Sequence, residues 1–88
     1  MFNNRRSEIK IIGEILKLSQ GGARKTEILY QGNLSYTQLQ GYLPFLLKKN
    51  ILEENIVNNN GNSYKLYRVT EKGLALLEDI NRILAYFS

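Results

Sequence analysis

Apolar residues recur with two different periods along this chain, and the change of period divides it into helical and strand-like parts. Between Ser7, a suitable N-cap, and about Ser19, the residues Ile9, Ile12, Ile15 and Leu16 repeat at helical spacing and predict one buried stripe. Ile11 and Leu18 fall off that stripe and call for a second covering surface. Gln20-Gly21-Gly22 should end this first helix, since glycine readily takes the left-handed conformation of a C-cap. A second helix is expected from about Arg24 to Gln31, burying Ile28 and Leu29. A third is expected from Tyr36 to about Lys49, with Leu39, Leu43, Leu46 and Leu47 inward. Pro44 lies inside it, where proline removes a backbone bond and crowds the preceding turn, so a bend or tightened turn is expected near residues 40–44, eased by Gly41.

After Asn50 the period falls to two. ILEENIV and SYKLYRV flank NNNGN, and Asn60-Gly61 suits the type I′ turn of a tight hairpin, which needs positive φ at both central residues. Thr70 then caps a fourth helix over residues 71–88, with Val69 and Leu74 as its hydrophobic staple. Leu76, Leu77, Ile80, Ile83, Leu84 and Phe87 form its apolar stripe. The order helix, helix, helix, strand, strand, helix predicts one α+β, mostly helical domain over residues 1–88: a winged helix-turn-helix.

Residues 24–52 carry most of that inference. Ser35 and Gln38 form an S-x-x-Q capping box, and Leu34 and Leu39 occupy the two positions of a staple. With Gly32 and Asn33 as the corner before it, the third helix has a firmly specified start packed across a shorter helix. Such a unit presents the front end of its second helix to a groove in DNA.

Charge is compatible with that partner. Twelve basic and eight acidic residues leave a formal charge of +4 and a pI near 9.5. Arg24 and Lys25 open the second helix, Lys48 and Lys49 close the third, Lys65 and Arg68 lie on the hairpin, and Arg5 with Arg6 belongs either to a frayed terminus, the default expectation, or to a short basic arm. The candidate phosphate contacts are Arg24, Lys25, Lys48 and Lys65. Ser35, Thr37, Gln38, Gln40 and Tyr42 are placed to approach base edges or phosphates, and Asn58, Asn59, Asn60 and Asn62 offer amides from the wing. Each has a plainer role: Gln38 completes the capping box, NNNGN makes a good turn, and paired charges solvate a surface.

Other chemistry is poorly provided for. The chain has no cysteine and no histidine, which removes disulfides, zinc sites and the usual general base. Glu53 and Glu54 are adjacent on a strand and point to opposite faces, so they cannot share one site. No enzyme, cofactor, metal or small-molecule ligand is expected. No apolar run approaches the roughly 20 residues that span a bilayer, and MFNNRRSEIK does not read as a signal peptide, so a cytoplasmic, nucleoid-associated location is expected.

Two segments, KTEILYQGNLSY (Lys25–Tyr36) and YRVTEKGLALLEDI (Tyr67–Ile80), resemble the signature segments of an archaeal winged-helix family. That family includes small basic chromatin-associated proteins and predicted transcriptional regulators. The resemblance extends over roughly residues 7–84 and implies DNA binding and dimerisation through the C-terminal helix. In the chromatin members that helix is long and forms an antiparallel coiled coil; here it reaches only Ser88, so a compact helix pair is expected instead. Pro44 also departs from the resemblance. Ile11, Leu18, Ile83, Leu84 and Phe87, with Phe2 and Phe45, exceed what a small monomer readily covers and mark a dimer interface; the alternative is a fourth helix folded back over the first.

The expectation is therefore a homodimeric transcriptional regulator that binds double-stranded DNA with sequence preference, its third helix in the major groove and its hairpin near the minor groove. An architectural chromatin protein with little sequence choice and a winged-helix protein-interaction module remain open.

Overall fold

A computed structural model describes the backbone of residues 2–88 and the side chains of residues 8–88. Its elements are α1 (Phe2–Leu18), α2 (Lys25–Gln31), α3 (Tyr36–Lys48), β1 (Leu52–Asn59), β2 (Asn62–Val69) and α4 (Glu71–Ala85). The winged helix-turn-helix order is as expected. Two boundaries differ most: α1 begins at Phe2, with Ser7 inside it, and α4 ends at Ala85 instead of continuing to residue 88. No glycine or proline occurs before Gly13, so nothing upstream of Ser7 breaks the helix. The expectations for Phe2, Arg5 and Arg6 concern side chains outside the described residues.

The short helices stop where a residue can turn left-handed. Asn33, with φ of 55°, follows α2, and Asn50, with φ of 60°, follows α3. In both corners the chain closes a Schellman motif. Leu34 N–H donates to Leu29 O at 3.0 Å and Asn33 N–H to Tyr30 O at 3.2 Å; Ile51 N–H donates to Leu46 O at 2.9 Å and Asn50 N–H to Leu47 O at 3.1 Å. Leu29 and Leu34 both pack against the core beside their corner. α3 remains α-helical across Pro44, whose ring is exposed, with no 3₁₀ turn interrupting it near residues 40–44.

β1 and β2 pair antiparallel from Leu52↔Val69 to Asn59↔Asn62. The two-residue turn between them has φ of 53° at Asn60 and 85° at Gly61, the type I′ signs. A third strand-like rung joins this sheet. Ala23 N–H donates to Tyr67 O at 2.9 Å and Tyr67 N–H to Ala23 O at 2.8 Å. No alternating pattern in the sequence marks Ala23, since the rung is one residue long.

The core gathers Ile15 and Leu16 from α1, Ile28 from α2, Leu39, Leu43 and Leu46 from α3, Leu52, Tyr67 and Val69 from the sheet, and Leu77 and Ile80 from α4. α4 packs along α1. The approach depends on Gly13, where a Cβ would lie 3.0 Å from Ile80 Cγ2. The start of α4 is bound into the joint between α3 and β1. Thr70 Oγ1 donates toward Asn50 O at 2.7 Å and Ile51 O at 3.0 Å, and accepts from Gly73 N–H at 3.0 Å. Gly73 passes so close to Ile51 that a Cβ there would collide with its carbonyl oxygen and with Val69. The expected staple partner Leu74 stays exposed. Among the described residues no helix is long and apolar enough to cross a membrane.

Candidate nucleic-acid interface

The Ala23–Tyr67 rung sets the geometry of the basic surface, because it holds the residue before Arg24 against the hairpin. Arg24 is the N-cap of α2, its backbone N–H donating to Glu27 Oε1 at 2.8 Å. Its guanidinium lies 3.7 Å from the centre of the Tyr64 ring on β2, a cation–π stack joining the helix-turn-helix to the wing. Lys25 Nζ stands 5.6 Å from the Tyr36 ring at the start of α3. Arg24, Lys25, Thr26, Tyr64, Lys65 and Tyr67 line one open groove of about 350 Å³. A neighbouring cleft of about 180 Å³ shares Lys25 and Tyr67 and extends to Gln40, Pro44 and Glu54.

This surface is basic with one acidic member. Lys65 Nζ lies 3.7 Å from Glu54 Oε2, an ion pair open to solvent. Burial raises the Tyr67 hydroxyl pKa above its ordinary 10.0, and the charge of Glu54 and a hydrogen bond to it add to the rise. Glu54 therefore partly offsets Lys65, whereas Arg24 and Lys25 lie against aromatic rings.

α3 presents its first turn outward because its cap is complete. Gln38 N–H donates to Ser35 Oγ at 3.1 Å, and Ser35 N–H donates to Gln38 Oε1 at 3.0 Å. Ser35, Thr37, Gln38, Gln40 and Lys48 are all exposed. Gln38 thus has its amide oxygen engaged and its NH₂ group available. Gln40 faces the wing side, in the cleft with Lys25. Tyr42 does not join it. It turns to the opposite flank, half-buried in a groove of about 490 Å³ with Glu8 and Ile12 of α1 and Thr37, Gln38, Gly41 and Phe45 of α3. Burial there, with the nearby charge of Glu8, raises its hydroxyl pKa. Asn58, Asn59, Asn60 and Asn62 are exposed at or beside the hairpin tip.

The structure therefore brings Arg24, Lys25, Gln40 and Lys65 to one surface and places Thr37 and Gln38 beside Tyr42 on the other flank of α3. Sequence reasoning missed Tyr64 and Thr26, and gave neither Tyr36 nor Glu54 a place at this surface. The signal for Tyr64 is weak: it shares a strand face with Leu66 and Arg68, but only the Ala23 rung reveals that Arg24 lies over it.

Of the apolar residues singled out for an interface, Ile11 and Leu84 already pack against the chain's own core. Leu18 is half-buried over the corner, where a Cβ on Gly32 would lie 3.6 Å from Leu18 Cδ1. Ile83 on α4 and Phe87 just past its end stay 42% and 59% exposed. The described residues contain no group of acidic side chains able to hold a metal ion.

The fold recurs in known structures. Sso10a-2, a DNA-binding protein from Sulfolobus solfataricus, is similar with a TM-score of 0.74 and 29% identity, covering 89% of this chain and 78% of that one. The circadian clock associated protein Pex from Anabaena is similar at TM-score 0.68 and 22% identity, over 91% of this chain and 77% of the other. A PadR-like transcription factor from Bacteroides fragilis is similar at TM-score 0.61 and 20% identity, over 98% and 95%. At those lower identities the likeness is one of fold. No curated protein sequence matches the chain. The match to an archaeal protein agrees with the resemblance carried by Lys25–Tyr36 and Tyr67–Ile80, and residues 5–86 match the winged helix-turn-helix family, to which this chain belongs.

Proposed function

We propose that the protein binds double-stranded DNA and acts as a small homodimeric transcriptional regulator. The observation that carries this reading is the surface built where α2, α3 and the wing meet. Arg24 stacks 3.7 Å over Tyr64, and Lys25 and Lys65 line the same groove beside the exposed first turn of α3. In this reading Arg24, Lys25 and Lys65 position the duplex through phosphates, as Lys48 does from farther along α3. Thr37, Gln38 and Gln40 enter the major groove, and Asn59, Asn60 and Asn62 lie beside the minor groove. Tyr42 contributes through packing against α1. The similarity to a DNA-binding protein at 29% identity supports the same partner.

The dimer is formed around the end of α4, through Ile83 and, just past the helix, Phe87. A two-fold pair places two α3 helices about one DNA turn apart, roughly 34 Å, and so calls for a repeated or palindromic site. One mobility-shift series tests the reading: random duplex and the DNA upstream of the protein's own gene, each at two salt concentrations. A marked preference for the upstream sequence supports a regulator, equal retardation indicates an architectural coat, and no shift at low salt removes DNA as the partner.

A further inference from the structure

α3 turns an apolar line outward. At about 100° per residue, Thr37, Gly41, Pro44, Phe45 and Lys48 fall opposite buried Leu39, Leu43 and Leu46, and all five are exposed. For three turns this line carries a methyl-bearing hydroxyl, bare backbone, a proline ring and a phenyl ring, and its first charge is Lys48. Phe45 is 47% exposed. Glycine is a poor helix former, and the fold does not require it at 41, where a Cβ would meet no atom within 4 Å. Open space at that point lets another molecule approach the helix backbone.

The charges stand around this line rather than on it. Arg24, Lys25 and Lys65 lie on the wing flank, and Lys48 and Lys49 at the end of α3. The third side, toward α1, is formed by Tyr42, Ile12 and the acidic Glu8, so cations border the apolar line on the wing flank and at its end. An apolar line with cations on those two sides fits a DNA major groove, where phosphate strands border the base edges. A second copy of this chain, with a formal charge of +4, would instead bring like charges together. Within the groove, guanine is read chiefly by arginine or lysine, adenine by a glutamine or asparagine amide, and the thymine 5-methyl group by apolar contact. The line has no cation before Lys48, and Gln38 and Gln40 flank it.

We propose that α3 reads thymine methyl groups. Phe45 and the methyl of Thr37 take the methyls of an A·T-rich site, Gly41 lets the helix backbone approach the bases between them, and Gln40 faces adenine. This rests on the duplex-binding reading above and specifies its substrate class.

The test is a fluorescence-anisotropy titration of one A·T-rich duplex against the same duplex with every thymine replaced by deoxyuridine, which keeps the hydrogen-bonding edges and removes the methyls. Binding should weaken about fourfold for each thymine methyl that α3 covers. Phe45→Ala and Thr37→Ser, with folding checked by circular dichroism, should each narrow the difference; Thr37→Ser keeps the hydroxyl and removes only the methyl. Equal binding of the two duplexes by the unaltered protein overturns the proposal and leaves duplex binding standing. Discrimination undiminished in both variants overturns it as well. No binding to any duplex removes the underlying reading.

Discussion

The starts of α3 and α4 are both capped by a hydroxyl, and they solve opposite problems. Ser35 and Gln38 satisfy each other within four residues, on the surface, with no help from another element. That leaves the first turn of α3 ordered yet free to face a partner. Thr70 instead ties its hydroxyl to the carbonyls of Asn50 and Ile51, Gly73 passes against Ile51, and Lys72 Nζ donates to Lys49 O at 2.9 Å. That start is a joint between three elements. One cap presents a helix; the other locks one down.

The largest expected effect follows from the joint. Gly73→Ala forces a methyl against the Ile51 carbonyl in a buried contact, so it should cost about 3 kcal/mol, the scale of overpacking against a backbone that cannot yield. Urea unfolding checks this, and a loss below about 1 kcal/mol would mean that the joint gives way easily and the contrast between the two caps is overstated.

Ser35→Ala should cost only about 1 kcal/mol, the usual worth of an N-cap. Its effect on duplex affinity should nevertheless exceed that of a joint variant compared under conditions where both are fully folded, because it frays the turn that carries Thr37 and Gln38. Equal affinities in the two variants would separate the α3 cap from function.

The smallest effect distinguishes the sheet side of the joint. Tyr67 holds its proton above the ordinary value of 10.0 because it is buried, with Glu54 reinforcing the shift. Above pH 10.0 the folded chain then binds more protons than the unfolded one, so this contribution to stability is full below that pH and declines as pH rises through the folded value. Urea midpoints in wild type should fall across that range, and less so in Tyr67→Phe; identical pH profiles for the two proteins would exclude Tyr67 as the cause.

The same contrast explains what could be read from the sequence. The hairpin turn and the Ser35 box depend on residues within a few positions of each other, and both were legible. Thr70 was legible as a cap but not as a joint, since its carbonyl partners precede it by a whole hairpin. Ser7 has the chemistry of an N-cap, yet α1 continues upstream because no neighbouring residue interrupts it. Tyr42 lies away from the innermost leucines of α3, but only the crossing of α1 decides that Glu8 and Ile12 cover that flank. Arg24 and Lys25 were visible as charges. Tyr64, which holds Arg24 in place, was hidden because the Ala23 rung is too short to leave a pattern.

The central claim is that the groove between α2 and the wing neutralises DNA phosphates. Its most direct test is the salt dependence of duplex affinity for the unaltered protein and for Arg24→Ala and Lys25→Ala. With about five phosphates neutralised per half-site, the log–log slope should be roughly −4.5, and each variant should reduce its magnitude by about 0.9 per half-site on every sequence tried. An unchanged slope in both variants would contradict the account and place any phosphate contacts elsewhere on the molecule.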